Sequence, residues 1–439
     1  MEKVFRDPVY NLMRFDMDRD RLVLQLLDSA EVQRLRNIRQ MGVSDFIFPG
    51  ATHTRFAHSL GATYLMKLVI ERMDLLRKDA RYQHIAQSLD EHREMLLAVA
   101  LLHDLGHFPF SHLMEEVIEQ DHEAWSVRLI EDPQTEVHQI LRQADPGYLE
   151  YIPAILNRTF KPSYVVKLIS SQLDVDRMDY LRRDSLHSGV DYGNFDFDWL
   201  LHSLRIVEHE GDYELALDAH KGIPVAETYV LARYSMYQQV YLHKTERSAG
   251  ALMFKLLQRA KMLLLEDRLP DTPAPVKSLL KHPENLDCTT FVQLDDVMLR
   301  HSISIWAKSA DDILADLSRR FLKRRLFKTL ILKNGQDVSL EKEFRAIASQ
   351  NGFDPEYYLV YDSAIHSPYK DDYLDPFSGK ASERIFLLKE NGSLVGLSEK
   401  SQLIQALKNR YIQIERLCFP EELRQPLLAF GEKNDIFGV

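Results

Sequence analysis

Apolar positions recur every three or four residues through most of the first 325 residues, the spacing of one face of an α-helix. The period predicts helices over 21–35, 54–73, 94–107, 111–119, 163–184, 226–266 and 309–325. One stretch departs from it. LRIVEHEGDYELALD, residues 204–218, alternates about a Gly-Asp pair and predicts a hairpin, an excursion from a helical region rather than a sheet domain. From about 326 the texture changes to short strand-like runs, LFKTLILK, YYLVYD and RIFLLKENGSLVGLS, the last with an Asn391-Gly392 hairpin turn. The expected fold is mainly α, with a helical region over 1–325 and a small α+β domain over 326–439. That second domain carries no motif tied to chemistry and reads as a packing or oligomerisation unit.

Composition narrows the class. A chain of 439 residues with 45% hydrophobic residues can bury a large core. Its 55 Lys and Arg against 66 Asp and Glu give a formal charge of −11, which disfavours a nucleic-acid partner. A local basic run, RRFLKRRLFK at 319–328, can still hold an anion. The opening MEKVFRDPVYN has no basic or apolar leader segment, and no apolar run approaches the ~18 residues of a membrane span. A cytoplasmic protein is expected. Cys288 and Cys418 are far apart and read as packing residues.

Chemistry concentrates in HDLGHFPFSH, residues 103–112. In EMLLAVALLHDLGH, the residues Leu97, Ala98, Leu101 and Leu102 form a buried stripe, and helical spacing places His103 and His107 on one face. Ionisable groups at the end of an apolar helix are costly unless they are paired or bind something. Histidine and aspartate together suit Mn, Fe, Zn, Co or Mg, and the lack of cysteine argues against a structural zinc site. Further ligands must come from other helices. THTRFAHSLG offers Arg55 and His58, three apart after a Thr52 or Thr54 cap. LDVDRMDYLRRDSLHSG offers Asp174, Asp176 and Asp179, with Asp176, Tyr180 and Asp184 on one polar face. Each of these segments also reads as ordinary surface: a solvated helix start, and an exposed salt-bridged face.

RFAHSLG, HDLGHFPFSH and DVDRMDYLRRD, in that order, resemble the H…HD…D pattern of HD-domain metallohydrolases. With KVFRDP, EVQRLRNIRQMG and RYSMYQQVYLHK around them, the chain is similar to the deoxynucleoside triphosphate triphosphohydrolase branch, which includes bacterial dNTPases and the animal enzyme with a SAM domain. The similarity fades in the C-terminal region, and no SAM domain is expected here. The resemblance implies a metal site within about 50–185, with a divalent ion (Mn, Fe, Mg, Co, Zn or Ni) held by His58, His103, Asp104 and Asp176. It implies a catalytic group of His107, His112, Glu115 and His122, and triphosphate contacts from Arg55, Arg177, Arg233 and Lys244. Tyr180 and Asp184 would hold the 3′ hydroxyl, with Gln40 and Met41 near the sugar and Tyr241 walling off a 2′ hydroxyl. The implied reaction converts a dNTP to deoxynucleoside and triphosphate.

Lys3, Val4, Asp28, Gln33 and Arg36 match family positions for a guanine nucleotide activator, here dGTP, at a subunit interface of a homotetramer, with 319–328 near its phosphates. Asp28 reads equally as a helix cap. The chain departs from the family in Glu115, where an aspartate is usual, in Arg177, where a lysine is usual, and in Tyr237, Gln238 and Gln239, which replace a basic run. Two other readings stay open: a different HD phosphohydrolase or phosphodiesterase, and a nucleotide- or single-strand-binding regulator without turnover.

Overall fold

The computed structural model describes residues 1–333, 338–367, 369, 384–408, 410–434 and 436–437, so part of the expected 326–439 domain lies outside it. Helices make up 58% of the chain, and the mainly α class follows. At the centre lies the helix Arg93–Leu102, enclosed by Arg21–Leu27, Arg55–Leu75, Tyr148–Leu156 and Ser163–Ile169. Its residues Leu96 to Leu102 are all fully buried. Here the expected stripe is replaced by burial all round, as befits a core helix.

Several predicted helices are broken, each for a local reason. The expected 94–107 helix stops at Leu102, so His103 and His107 are joined by tight turns rather than one helical face. The carbonyls of Leu105 and His107 accept from the buried Arg34 guanidinium, at 3.4 and 2.8 Å. Gly106 packs so closely on the helix His122–Glu131 that a Cβ would sit 2.2 Å from the His122 carbonyl oxygen. The 163–184 prediction divides into Ser163–Ile169 and Val175–Ser188, because Asp174 leaves the helix to accept the N–H groups of Ser171 and Arg177. Similarly, 21–35 breaks at Asp28 and Ser29, and 226–266 is interrupted by a wide turn at Tyr237–Tyr241 before His243 caps Lys244–Leu265.

Nine strands fall into three sheets among the described residues. A hairpin of β1 (Glu2–Asp7) and β2 (Asn11–Asp16) opens the chain, where the sequence pattern indicated no element. The predicted hairpin forms β3 (Leu204–His209) and β4 (Asp212–Asp218), turning at Glu210 and Gly211. The C-terminal region supplies β5 (Lys328–Ile331), β6 (Val360–His366), β7 (Phe386–Leu388), β8 (Leu394–Gly396) and β9 (Ile412–Phe419). Strand β4 pairs in parallel with β7, and β7 with β8 across the expected Asn391-Gly392 turn. Thus the 204–218 hairpin is half of a four-stranded sheet rather than an excursion. Strands β5, β9 and β6 form an antiparallel sheet over a second core that includes Phe344, Leu417, Phe419 and Leu427. We propose that this core defines a small C-terminal domain, bridged to the helical region by β7 and β8. Both cysteines are free and buried, and no helix of the described residues is long and apolar enough to cross a membrane.

Candidate metal and catalytic site

Three helix ends meet at one point. His58 stands in the first turn of Arg55–Leu75, His103 directly follows Arg93–Leu102, and Asp176 stands in the first turn of Val175–Ser188. His58 Nε2 lies 3.0 Å from Asp176 Oδ1 and 3.3 Å from His103 Nε2, and one atom from each residue falls within a 4.8 Å cluster. Asp104 flanks them, 3.5 Å from His103 Nε2 and 3.6 Å from His58 Nε2.

The fit of a cation is readable from the hydrogen bonds. His103 Nδ1 donates to the Ala100 carbonyl at 2.9 Å, and His58 Nδ1 donates to Asp179 Oδ2 at 2.8 Å. Both acceptors require the proton on Nδ1, so in the neutral rings two Nε2 lone pairs face each other. Burial works against a charge on His58, yet the hydrogen bonds to Asp176 and Asp179 outweigh it and push its pKa up to about 10. The site therefore calls for positive charge at Nε2, and a divalent ion supplies it with nitrogen and oxygen donors suited to the task.

A second cluster adjoins the first. Glu115 Oε2 accepts from His122 Nδ1 at 3.1 Å and His112 Nδ1 at 3.3 Å, while His107 Nδ1 lies 3.2 Å from Oε1 without the alignment of a hydrogen bond. Burial disfavours the Glu115 charge, but the surrounding imidazoles hold its carboxyl far below the usual range. His107 stacks on His122 with ring centres 3.8 Å apart, and its Nε2 lies 3.3 Å from Asp104 Oδ1, which links the clusters. Burial, reinforced by Arg55, pushes the His107 pKa down to about 3, so this ring is neutral near pH 7. His112 is the open member, with 72% of its side chain exposed.

Both clusters border a cavity of about 840 Å³. Of the predicted substrate residues, Gln40, Met41, Arg55, Tyr180, Asp184 and Tyr241 line it. Arg55 donates to Asp104 Oδ2 at 2.5 Å and to Ser111 Oγ at 2.9 Å. Asp184 accepts from the Tyr241 hydroxyl and from His53 Nε2, each at 2.7 Å. Arg177, Arg233 and Lys244 are not in the wall. Arg177 pairs with Asp174 at 3.2 Å, Arg233 lies 5.9 Å from the Tyr237 ring, and Lys244 is exposed at the start of its helix. The C-terminal region contributes wall residues, among them Arg345, Glu356, Tyr361 and Asp362, where the sequence pattern offered no link to chemistry.

The predicted activator residues stand apart from this cavity. Lys3 and Val4 are exposed on β1, Asp28 is exposed at the C-terminal end of Arg21–Leu27, and exposed Arg36 donates to Gln33 Oε1 at 2.7 Å. In the basic run, Arg320 pairs with Asp316 and Glu422, and Arg324 donates to the Phe46 carbonyl.

Two supporting residues have roles that the sequence pattern did not assign. Asp179 is fully buried, not part of an exposed salt-bridged face, because Gly61 lets the two helices close: a Cβ there would lie 2.1 Å from Asp179 Oδ1. Asp296 accepts the N–H groups of Phe110 and Arg39 at 2.8 and 2.9 Å. It thereby holds the neighbouring Phe110 and Ser111, both at positive φ of 56° and 51°. The only sequence signal was the Asp295-Asp296 pair, of which Asp295 is the helix cap.

A model of the HD domain matches residues 55–184. The uncharacterized protein YwfO of Bacillus subtilis is 38% identical over 424 residues, 96% of this chain and 93% of that protein. The human deoxynucleoside triphosphate triphosphohydrolase SAMHD1 is 28% identical over 384 residues, 78% of this chain and 58% of that protein. Among solved structures, a phosphohydrolase from Bacteroides thetaiotaomicron has a TM-score of 0.79 and 30% identity, covering 96% of this chain and 100% of that one. HD domains bind divalent metals, in keeping with the His and Asp cluster. The chain belongs to the HD-domain, dNTPase-like family of metal-dependent hydrolases.

Proposed function

We propose that the protein hydrolyses deoxynucleoside triphosphates to deoxynucleoside and inorganic triphosphate. The observation that carries this reading is the shared cavity, with a metal-ligand cluster and an imidazole cluster joined through Asp104 and His107 beside an Asp184–Tyr241 pair shaped for a sugar. In this reading His58, His103, Asp104 and Asp176 hold the cation, which supplies Lewis-acid polarisation of a phosphoryl oxygen and a more acidic water. Water adds its oxygen to the α-phosphorus, the bond from that phosphorus to the 5′ oxygen breaks, and the leaving oxygen takes up a proton. His112, exposed to the cavity and tied through Nδ1 to Glu115, is placed to give that proton from Nε2. His107 stays neutral and orients, and His122 shares the Glu115 carboxylate.

Of the four cations assigned to the triphosphate, Arg55 is the one that lines the wall. Arg177 and Arg233 sit one helical turn from the lining residues Tyr180 and Tyr237, and Lys244 follows Tyr241; we assign all three as triphosphate contacts. Tyr180 and Asp184 hold the 3′ hydroxyl, Gln40 and Met41 flank the sugar, and Tyr241 excludes a 2′ hydroxyl. We further propose that dGTP activates a cytoplasmic homotetramer at Lys3, Val4, Asp28, Gln33 and Arg36. Support comes from the exposure of four of these positions and from Arg34, which ends the short helix that carries Gln33 and donates to the His107 carbonyl.

The pairing of Arg177 with Asp174 favours a second reading, a different HD phosphohydrolase with less need of phosphate cations. Incubating Mn-loaded protein with each dNTP, with and without dGTP, and with GTP as ribo control separates them. Deoxynucleoside and triphosphate in equal amounts are expected, with little product from GTP; pyrophosphate or monophosphate products from the dNTPs would favour the second reading.

A further inference from the structure

The buried polar network behind His58 extends beyond the HD match of residues 55–184. Asp179, which takes the His58 Nδ1 proton, is held on both oxygens. Arg183 donates to Oδ2 from Nε at 2.8 Å and to Oδ1 from Nη2 at 3.0 Å. The Tyr10 hydroxyl donates to Oδ1 at 2.8 Å. Arg183, itself fully buried, is fixed from the far side by Asp7 Oδ2 at 2.7 Å.

Asp7 and Tyr10 both belong to the β1–β2 hairpin. Asp7 ends β1, and its Oδ1 accepts the backbone N–H groups of Val9 and Tyr10 at 2.8 and 3.1 Å. One carboxylate thus anchors Arg183 and builds the turn that aims Tyr10. Burial, together with the Asp179 charge, raises the Tyr10 hydroxyl well above its ordinary pKa and keeps it a donor.

We infer that Asp7 and Tyr10 are positioning residues for the metal centre: the β1–β2 hairpin fixes the Asp179 carboxylate, and with it the His58 tautomer whose Nε2 faces the cation. A free carboxylate can rotate and release the Nδ1 proton, after which the ring presents either nitrogen. A carboxylate pinned by Tyr10 and Arg183 leaves one acceptor direction open, and the imidazole follows it. The inference rests on His58 being a metal ligand, as proposed above.

The test measures Mn(II) affinity of the full-length protein by chelator competition, with metal content by mass spectrometry and melting of the metal-free form. Tyr10→Phe deletes one oxygen, Asp7→Asn weakens the hold on Arg183, and His58→Ala removes the ligand. Met13→Ala controls for packing, since Met13 is buried in the same hairpin.

Tyr10→Phe and Asp7→Asn should each weaken Mn(II) binding by about 10- to 100-fold, the range for outer-shell partners of metal-ligating histidines. Met13→Ala should lower the melting temperature and leave affinity unchanged. If His58→Ala loses metal while Tyr10→Phe and Asp7→Asn hold it like the parent, the inference fails and the ligand assignment stands. Metal retention by His58→Ala itself overturns the ligand assignment. Equal weakening by Met13→Ala and Tyr10→Phe also overturns the inference, because hairpin packing alone then accounts for the effect. Should Asp7→Asn not fold, Tyr10→Phe decides.

Discussion

The Tyr241 hydroxyl donates to Asp184 Oδ2 at 2.7 Å, and both side chains line the cavity that the two histidine clusters border. Asp184 is doubly engaged, by Tyr241 and His53, so its geometry is fixed within the wall. Tyr241→Phe keeps the ring and removes the bond. A hydrogen bond to a charged group contributes roughly 1.5–3 kcal/mol, so the preference for dNTP over NTP in kcat/KM should fall by about 10-fold or more. Steady-state kinetics with dGTP and GTP check this, and an unchanged ratio contradicts the assigned role.

Glu115 gathers His112 and His122 on one oxygen, with His107 beside the other. In Glu115→Gln the charge that orients these rings is lost, and one acceptor becomes a donor. The expected outcome is a fall in kcat on the order of 100-fold, the scale of one misplaced general acid. Metal held by His58, His103 and Asp176 should be unchanged, because Glu115 belongs to the other cluster, with His107, His112 and His122. Single-turnover rates and metal analysis on the same preparation test both halves.

Arg34 bonds the carbonyls of Leu105, His107 and Leu294 from inside the core. A lysine keeps the charge and cannot span three acceptors. Arg34→Lys should cost roughly 1–3 kcal/mol of stability by stranding buried carbonyls. It should also slow turnover, since the His107 turn is then unsupported; denaturant unfolding and kcat measure the two effects.

Asp296 predicts a pH signature. Burial outweighs its two backbone N–H partners and pushes its pKa from the ordinary 3.8 up to about 6. The folded protein therefore holds this proton more tightly than the unfolded chain does. Its contribution to stability is full below pH 3.8 and is lost as pH rises to about 6. Asp296→Asn does not titrate and resembles the protonated acid. Its melting temperature should gain on the wild type across that window and then run parallel above it. Parallel curves throughout would contradict this account.

How far the sequence reached is clear from particular residues. His58, His103, Asp104 and Asp176 come together because each sits at a helix end marked by residue type and order, information that is local. For Asp179 the sequence left two readings, a ligand or an exposed salt-bridged residue, because a polar helix face looks the same whether solvent or Gly61 lies opposite it. The turns after Leu102 are held by Arg34, distant in the chain, which donates to the Leu105 and His107 carbonyls. The pairing of β4 with β7 joins segments far apart in the chain, which no hydrophobic period encodes. The C-terminal wall of the cavity was invisible for a similar reason. Its residues are tied to the helical region by bonds between distant segments, from Arg247 and Arg416 to Asp362 and from Arg416 to the Leu242 carbonyl.

Cleavage at the bond between the α-phosphorus and the 5′ oxygen separates the proposed reaction from other phosphohydrolyses. Reaction of the Mn-loaded protein with dGTP in ¹⁸O-water, followed by mass analysis of the products, tests it most directly. The proposed reaction gives unlabelled deoxyguanosine and inorganic triphosphate in equal amounts, with one ¹⁸O in the triphosphate. Label in the deoxyguanosine, or pyrophosphate with labelled monophosphate, would contradict it.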